Sequence, residues 1–216
     1  MTTLVRIAQI ETLQGQTTVL HDVDWQQFEA ILEDIGEKRA SRIAYFDGVL
    51  EVRMPLPEHE RVKEIISDLV KALLDFMEID FEPFGSTTFK RRDRIAGFEP
   101  DGCFYIANVL VMRGVKRMDL TILPPPDLAI KVDLTSRTQF DAYRAIAVPE
   151  LWIYADNCLK IYVLQDGEYL ESGLSKVFGD LPIAVVIPQF VDYIFEKGRR
   201  IALREFHEWM GQNVGR

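Results

Sequence analysis

Glu99-Pro100-Asp101-Gly102-Cys103-Phe104 and Pro124-Pro125-Pro126-Asp127-Leu128-Ala129-Ile130-Lys131-Val132-Asp133 are the two stretches whose reading decides the fold. Each sets a carboxylate on an apolar run that reads as a buried β-strand, where an ionised group is costly unless something compensates it. Asp101 opens one strand after a Pro-Asp step. Lys131 and Asp133 stand two residues apart, so a regular strand directs both to one face. The triple proline stiffens the approach to the second strand and has no chemistry of its own.

Outward from these strands, helical and extended patterns alternate. Asp22 or Asp24 is a good N-cap for a first helix that buries Trp25, Phe28, Ile31, Leu32 and Ile35 and stops at Gly36. Strands over 41–46 and 49–54 flank Asp47-Gly48, a two-residue hairpin signal in which Asp47 is a turn residue. Glu51 reads as part of a solvated strand face, with an acid facing a cleft as the alternative. Pro55 and Pro57 end that strand, and a 3.6-period stripe predicts a long helix over 60–78. Strands follow at 79–83, 87–91, 101–106 and 128–134, then a short helix over 141–147 broken before Pro149. A meander over 151–155, 159–165 and 168–171 turns at Asp156-Asn157 and Asp166-Gly167. Ile187-Pro188 precedes one or two C-terminal helices. The order predicts one mixed α/β domain over 1–216, with a core at about 25–190 and a helical extension over 191–216.

The bulk properties narrow the function. Two cysteines, Cys103 and Cys158, are too few for a disulfide framework and read as small buried side chains. The first residues lack the apolar core of a signal peptide and no run is long enough for a membrane span, so the expected location is cytoplasmic. A net charge of −9 argues against coating nucleic acid non-specifically. Residues 86–117, however, carry seven basic groups against three acidic ones, a local +4 that leaves −13 on the rest. Such a zone beside an acidic strand is what a cleft needs to hold phosphates with cations and a metal with carboxylates; otherwise it is a pair of solvated loops. No Gly-rich phosphate loop, nucleophile elbow or zinc spacing is present, and no organic cofactor is expected.

Taken together, several motifs resemble the Uma-two-type restriction endonuclease-like family of the PD-(D/E)xK nuclease superfamily. They are Tyr45-Phe46-Asp47-Gly48, the Pro-rich turn with His59, Gly85-Ser86-Thr87-Thr88-Phe89, Glu99-Pro100-Asp101, Pro125-Pro126-Asp127-Leu128, Val132-Asp133-Leu134-Thr135-Ser136, and Tyr143 followed by Val148-Pro149-Glu150-Leu151-Trp152. The resemblance implies a central mixed sheet flanked by helices, a restriction endonuclease-like core, and Mg2+-dependent hydrolysis of DNA phosphodiesters. It also implies a homodimer, by analogy with enzymes that cut two strands. By position Asp101 is the motif aspartate, whereas Lys131 occupies the place expected to hold a glutamate ligand. Two readings stay open. In one, roles are exchanged: Asp101 and Asp133 hold the metal and Lys131 is the catalytic lysine, although alternate strand residues lie about 6.5–7 Å apart. In the other, the Lys131 ammonium replaces the metal, bridging Asp101 and Asp133, and the chain no longer cuts. No lysine stands near Gln139, where some members carry theirs. His59, Lys90, Arg91, Arg92 and Arg144 are the expected phosphate contacts. A non-catalytic domain that keeps the fold for DNA binding or self-association is the alternative function. A third option is that the basic loops hold a protein or an acidic ligand.

Overall fold

The computed structural model describes residues 12–36, 40–133 and 136–215, so expectations resting on the first residues, on Leu134 and on Thr135 fall outside it. The expected mixed α/β chain forms two sheets. The first contains β1 (Thr17–Leu20), β2 (Arg42–Phe46), β3 (Val49–Arg53), β5 (Phe89–Arg91) and β6 (Ala96–Phe98), all antiparallel in the order β1-β3-β2-β6-β5. The second contains β4 (Glu82–Pro83), β7 (Gly102–Tyr105), β8 (Leu128–Val132), β9 (Glu150–Ala155), β10 (Cys158–Gln165) and β11 (Glu168–Ser172), ordered β11-β10-β9-β8-β7-β4. Only β8 and β9 run parallel, and the crossover between them is helix α4 (Arg137–Ile146).

Helix α1 (Trp25–Ile35) starts on Asp24, whose carboxylate accepts the Gln27 N–H at 2.8 Å in a capping box, and ends at Gly36 with φ +67°. Phe28 stacks on Tyr45 with centroids 4.3 Å apart, and a Cβ at Gly97 of β6 would lie 2.9 Å from the Phe28 ring. Glycine there lets the helix close on the first sheet. Helix α2 (Pro57–Phe76) begins three residues earlier than its apolar stripe implies, because proline at the first helical position needs no N–H partner. It packs on β8 and on α5 (Ile183–Lys197) and α6 (Arg199–Asn213). Pro188 lies inside α5 and does not precede it. A short helix, α3 (Val109–Met112), follows β7.

The main core joins α2, α5 and α6 to one face of the second sheet through Leu69, Leu73, Trp152, Ile161 and Phe206. Helix α4 fills the space between the sheets, packing on β2, β3 and β6 through Tyr143 and its neighbours. At this junction Glu99-Pro100-Asp101 carries the chain from β6 in one sheet to β7 in the other. Fully buried Glu150 accepts from Trp152 Nε1 (2.6 Å), Ser175 Oγ (2.6 Å) and the Lys176 N–H (2.7 Å), tying the segment after β11 to β9.

Candidate active centre

Asp101 is anchored from both sides. Its own N–H donates to the Ile130 carbonyl at 2.9 Å, and its Oδ2 accepts the Val132 N–H at 2.8 Å. Lys131 reaches across from β8, with Nζ 3.2 Å from each carboxylate oxygen. Lys131 is 3% exposed and Asp101 6%, so the pair is shielded from solvent. Arg42 Nε approaches Asp101 Oδ1 at 3.9 Å from β2. Burial, aided by the nearby Arg53 and Arg42 charges, holds Lys131 below the ordinary lysine range against the pull of Asp101.

Asp133 stands apart from this pair. Strand β8 ends at Val132, and Asp133 turns to φ +54°, which breaks the alternation that would have kept it on the face of Lys131. Its carboxylate lies 2.5 Å from His59 Nε2 and 3.6 Å from Arg53. Arg53 donates to the Val132 carbonyl (2.9 Å) and the Asp133 carbonyl (2.7 Å), and lies 3.0 Å from His59 Nδ1. A guanidinium only donates, so Nδ1 accepts and the Nε2 proton faces Asp133. The expected bridge from Lys131 to both aspartates is therefore half formed. Lys131 pairs with Asp101, while His59 and Arg53 hold Asp133.

Sequence reading missed several members of this centre. Glu51 is 3% exposed, contrary to the solvated strand face expected of it; Ser136 Oγ donates to it at 2.7 Å and Gln139 Nε2 at 3.0 Å. Glu99 accepts the Ile43 N–H at 3.2 Å and the Thr88 hydroxyl at 2.5 Å. Glu51 and Glu99 are thus buried acids beside the Asp101–Lys131 pair, each held by neutral donors. The only local trace is that Glu51 and Arg53 alternate with apolar residues in β3.

The expected phosphate contacts are spread more widely. Lys90 pairs with Glu29 at 2.8 Å, Arg91 with Asp93 at 2.7 Å, and Arg92 is exposed beside them. Arg144 does not reach the centre, because Glu168 (2.6 Å) and Asp141 (3.0 Å) hold it on the outer side of α4. A groove of about 1090 Å3 carries Arg42, Lys90, Lys116 and Arg117, together with the Ser86, Thr87 and Thr88 hydroxyls and the carboxylates of Glu29, Glu33 and Glu99. Arg42 and Glu99 line both this groove and the buried centre.

Restriction endonuclease-like families are usually metal-dependent, so the donor set must be asked whether it suits a hard divalent cation. Such an ion takes several oxygen ligands and is repelled by cations. Both oxygens of Asp101 are already engaged, the cations of Lys131 and Arg42 approach it, and no group of three or more His, Cys, Asp or Glu among the described residues is arranged to hold a metal. The residues do not fit Mg2+.

The centre thus consists of a strand-end aspartate paired with a lysine on the neighbouring strand, beside a crossover helix. The family model described as Uma2, putative restriction endonuclease, matches residues 25–191, and the chain belongs to that family. A crystal structure described as a putative nuclease belonging to DUF820 from Anabaena variabilis ATCC 29413 is similar at 15% identity and a TM-score of 0.43, over 67% of this chain and 83% of that one. No curated protein matches the chain. No helix among the described residues is long and apolar enough to cross a membrane.

Proposed function

We propose that this chain binds the sugar-phosphate backbone of DNA along the groove and leaves it uncut, because Lys131 stands where the family resemblance expects a glutamate ligand for the metal. The observation that carries this reading is the buried ion pair, with Lys131 Nζ 3.2 Å from both oxygens of Asp101. An internal ammonium satisfies the aspartate without an exchangeable ion. Arg42, Lys116 and Arg117, with the adjoining hydroxyls, supply cations and donors suited to phosphate oxygens. A Mg2+-dependent endonuclease with exchanged roles draws less support, since Asp133 has left the face of Lys131. The chain is proposed to act in the cytoplasm as a homodimer, which light scattering of the purified protein checks.

Titration of duplex DNA at several salt concentrations, alongside plasmid incubation with Mg2+ or Mn2+, tests the function. The expected result is a log–log salt slope of about −3, from a few neutralised phosphates, with no cleavage. Nicking that depends on Mg2+ defeats the uncut reading. Binding that ignores salt defeats the nucleic-acid reading and favours a protein or small acidic ligand.

A further inference from the structure

Behind the ion pair, between the sheets and α4, lies a cavity of about 10 Å3 bounded by Arg42, Lys131, Glu99, Gln139, Tyr143 and apolar wall residues that include Ala44. Three of its lining residues carry a polar atom that is buried without a hydrogen-bond partner among the described residues: Arg42 Nε, Gln139 Oε1 and Tyr143 Oη. Gln139 is 4% exposed and Tyr143 1%, so bulk solvent does not serve them. An orphaned buried polar atom is costly, and three around one small space are not a chance arrangement of surface groups.

We propose that this cavity is a binding site for one ordered water molecule, held by Arg42, Gln139 and Tyr143 as a fixed part of the centre. The volume is that of a single water, which needs about 10–15 Å3 and two to four polar partners. The chemistry of the walls selects the occupant. Arg42 Nε only donates, Gln139 Oε1 only accepts and the Tyr143 hydroxyl does either, so the guest must both accept and donate. Lys131 adds a further donor: its ammonium has three protons, and the two oxygens of Asp101 take at most two. A halide would accept from Arg42 and Lys131, but it would leave Gln139 Oε1 unpaired and face the Glu99 carboxylate. Water satisfies all of them. It also solvates the Lys131, Arg42 and Arg53 cations, which line one cavity and repel one another. The site thereby joins β2, β8 and α4 through one molecule. It is independent of DNA binding and stands or falls separately from that proposal.

A high-resolution crystal structure, one crystal of which is soaked in bromide, tests this directly. A solvent peak about 2.7–3.2 Å from Arg42 Nε, Gln139 Oε1 and Tyr143 Oη, without anomalous signal, is the expected result. Flat density, direct pairing of these atoms with one another, or an anomalous bromide peak overturns it. In solution, 17O relaxation dispersion should count one fewer long-lived water in Ala44→Val, whose added carbons occupy the space. Tyr143→Phe, which keeps the ring packing, should shorten the residence of that water. An unchanged count and residence in both variants would also overturn the proposal.

Discussion

Replacing Lys131 by methionine leaves Asp101 as a buried carboxylate with, among the described residues, the Val132 N–H as its close donor and Arg42 at 3.9 Å. Unit charges 3.2 Å apart, the Lys131–Asp101 separation, attract by about 5 kcal/mol at an effective dielectric of about 20. Removing each ion from water costs several kcal/mol, so the intact pair contributes little net stability. Breaking it is another matter, because the surviving charge keeps its desolvation cost and loses its partner. Lys131→Met should lower unfolding stability by about 3–5 kcal/mol. Asp101→Asn should do likewise, stranding an ammonium between Arg42 and Arg53. The double variant should cost less than the two losses combined, with a coupling of about 2–3 kcal/mol. Urea unfolding followed by tryptophan fluorescence and circular dichroism measures all four proteins. Additive losses, or a Lys131→Met protein as stable as wild type, would refute the ion-pair account.

Other outcomes follow from the same structure. The folded chain gives up the Lys131 proton below the ordinary value of 10.5, so between the lowered value and 10.5 the unfolded chain binds more protons. Wild type should accordingly gain stability on Lys131→Met as pH rises through that window and lose the gain as pH falls, which paired urea titrations at each pH would reveal. Glu150→Ala removes the acceptor of two buried donors and of the Lys176 N–H, and should cost about 3 kcal/mol, visible as a lower urea midpoint at unchanged slope. Gly97→Ala would drive a methyl into Phe28 and should cost about 1–3 kcal/mol, with near-ultraviolet dichroism reporting the disturbed Phe28–Tyr45 stack.

Features written in short-range patterns were legible in the sequence. Asp47-Gly48 made the hairpin, Asp24 and Gly36 bounded α1, and the turns of the β9–β11 meander fell where Asp-Asn and Asp-Gly stood. Three-residue β6 escaped notice because Ala96-Gly97-Phe98 has no alternation to detect and owes its place to pairing with β2 and β5. Helix α4 was read four residues short because its cap, Ser136, accepts the Gln139 N–H in a stretch without an apolar stripe. In the centre, the Asp101–Lys131 contact was foreseeable from two strands expected to be neighbours. The departure of Asp133 was not, because a positive φ at an aspartate leaves no mark in composition. Arg42, Arg53 and Gln139 were invisible for a related reason. Their roles arise where two sheets and a crossover helix meet, and no local pattern encodes that meeting.

Calorimetric titration of Mn2+ into the wild-type protein and into Lys131→Glu tests the central claim most directly. The account predicts no binding heat for wild type and a newly acquired site in the variant, where a second carboxylate replaces the ammonium beside Asp101. Saturable Mn2+ binding by wild type that disappears in Asp101→Asn would contradict it, showing that the metal enters in spite of Lys131.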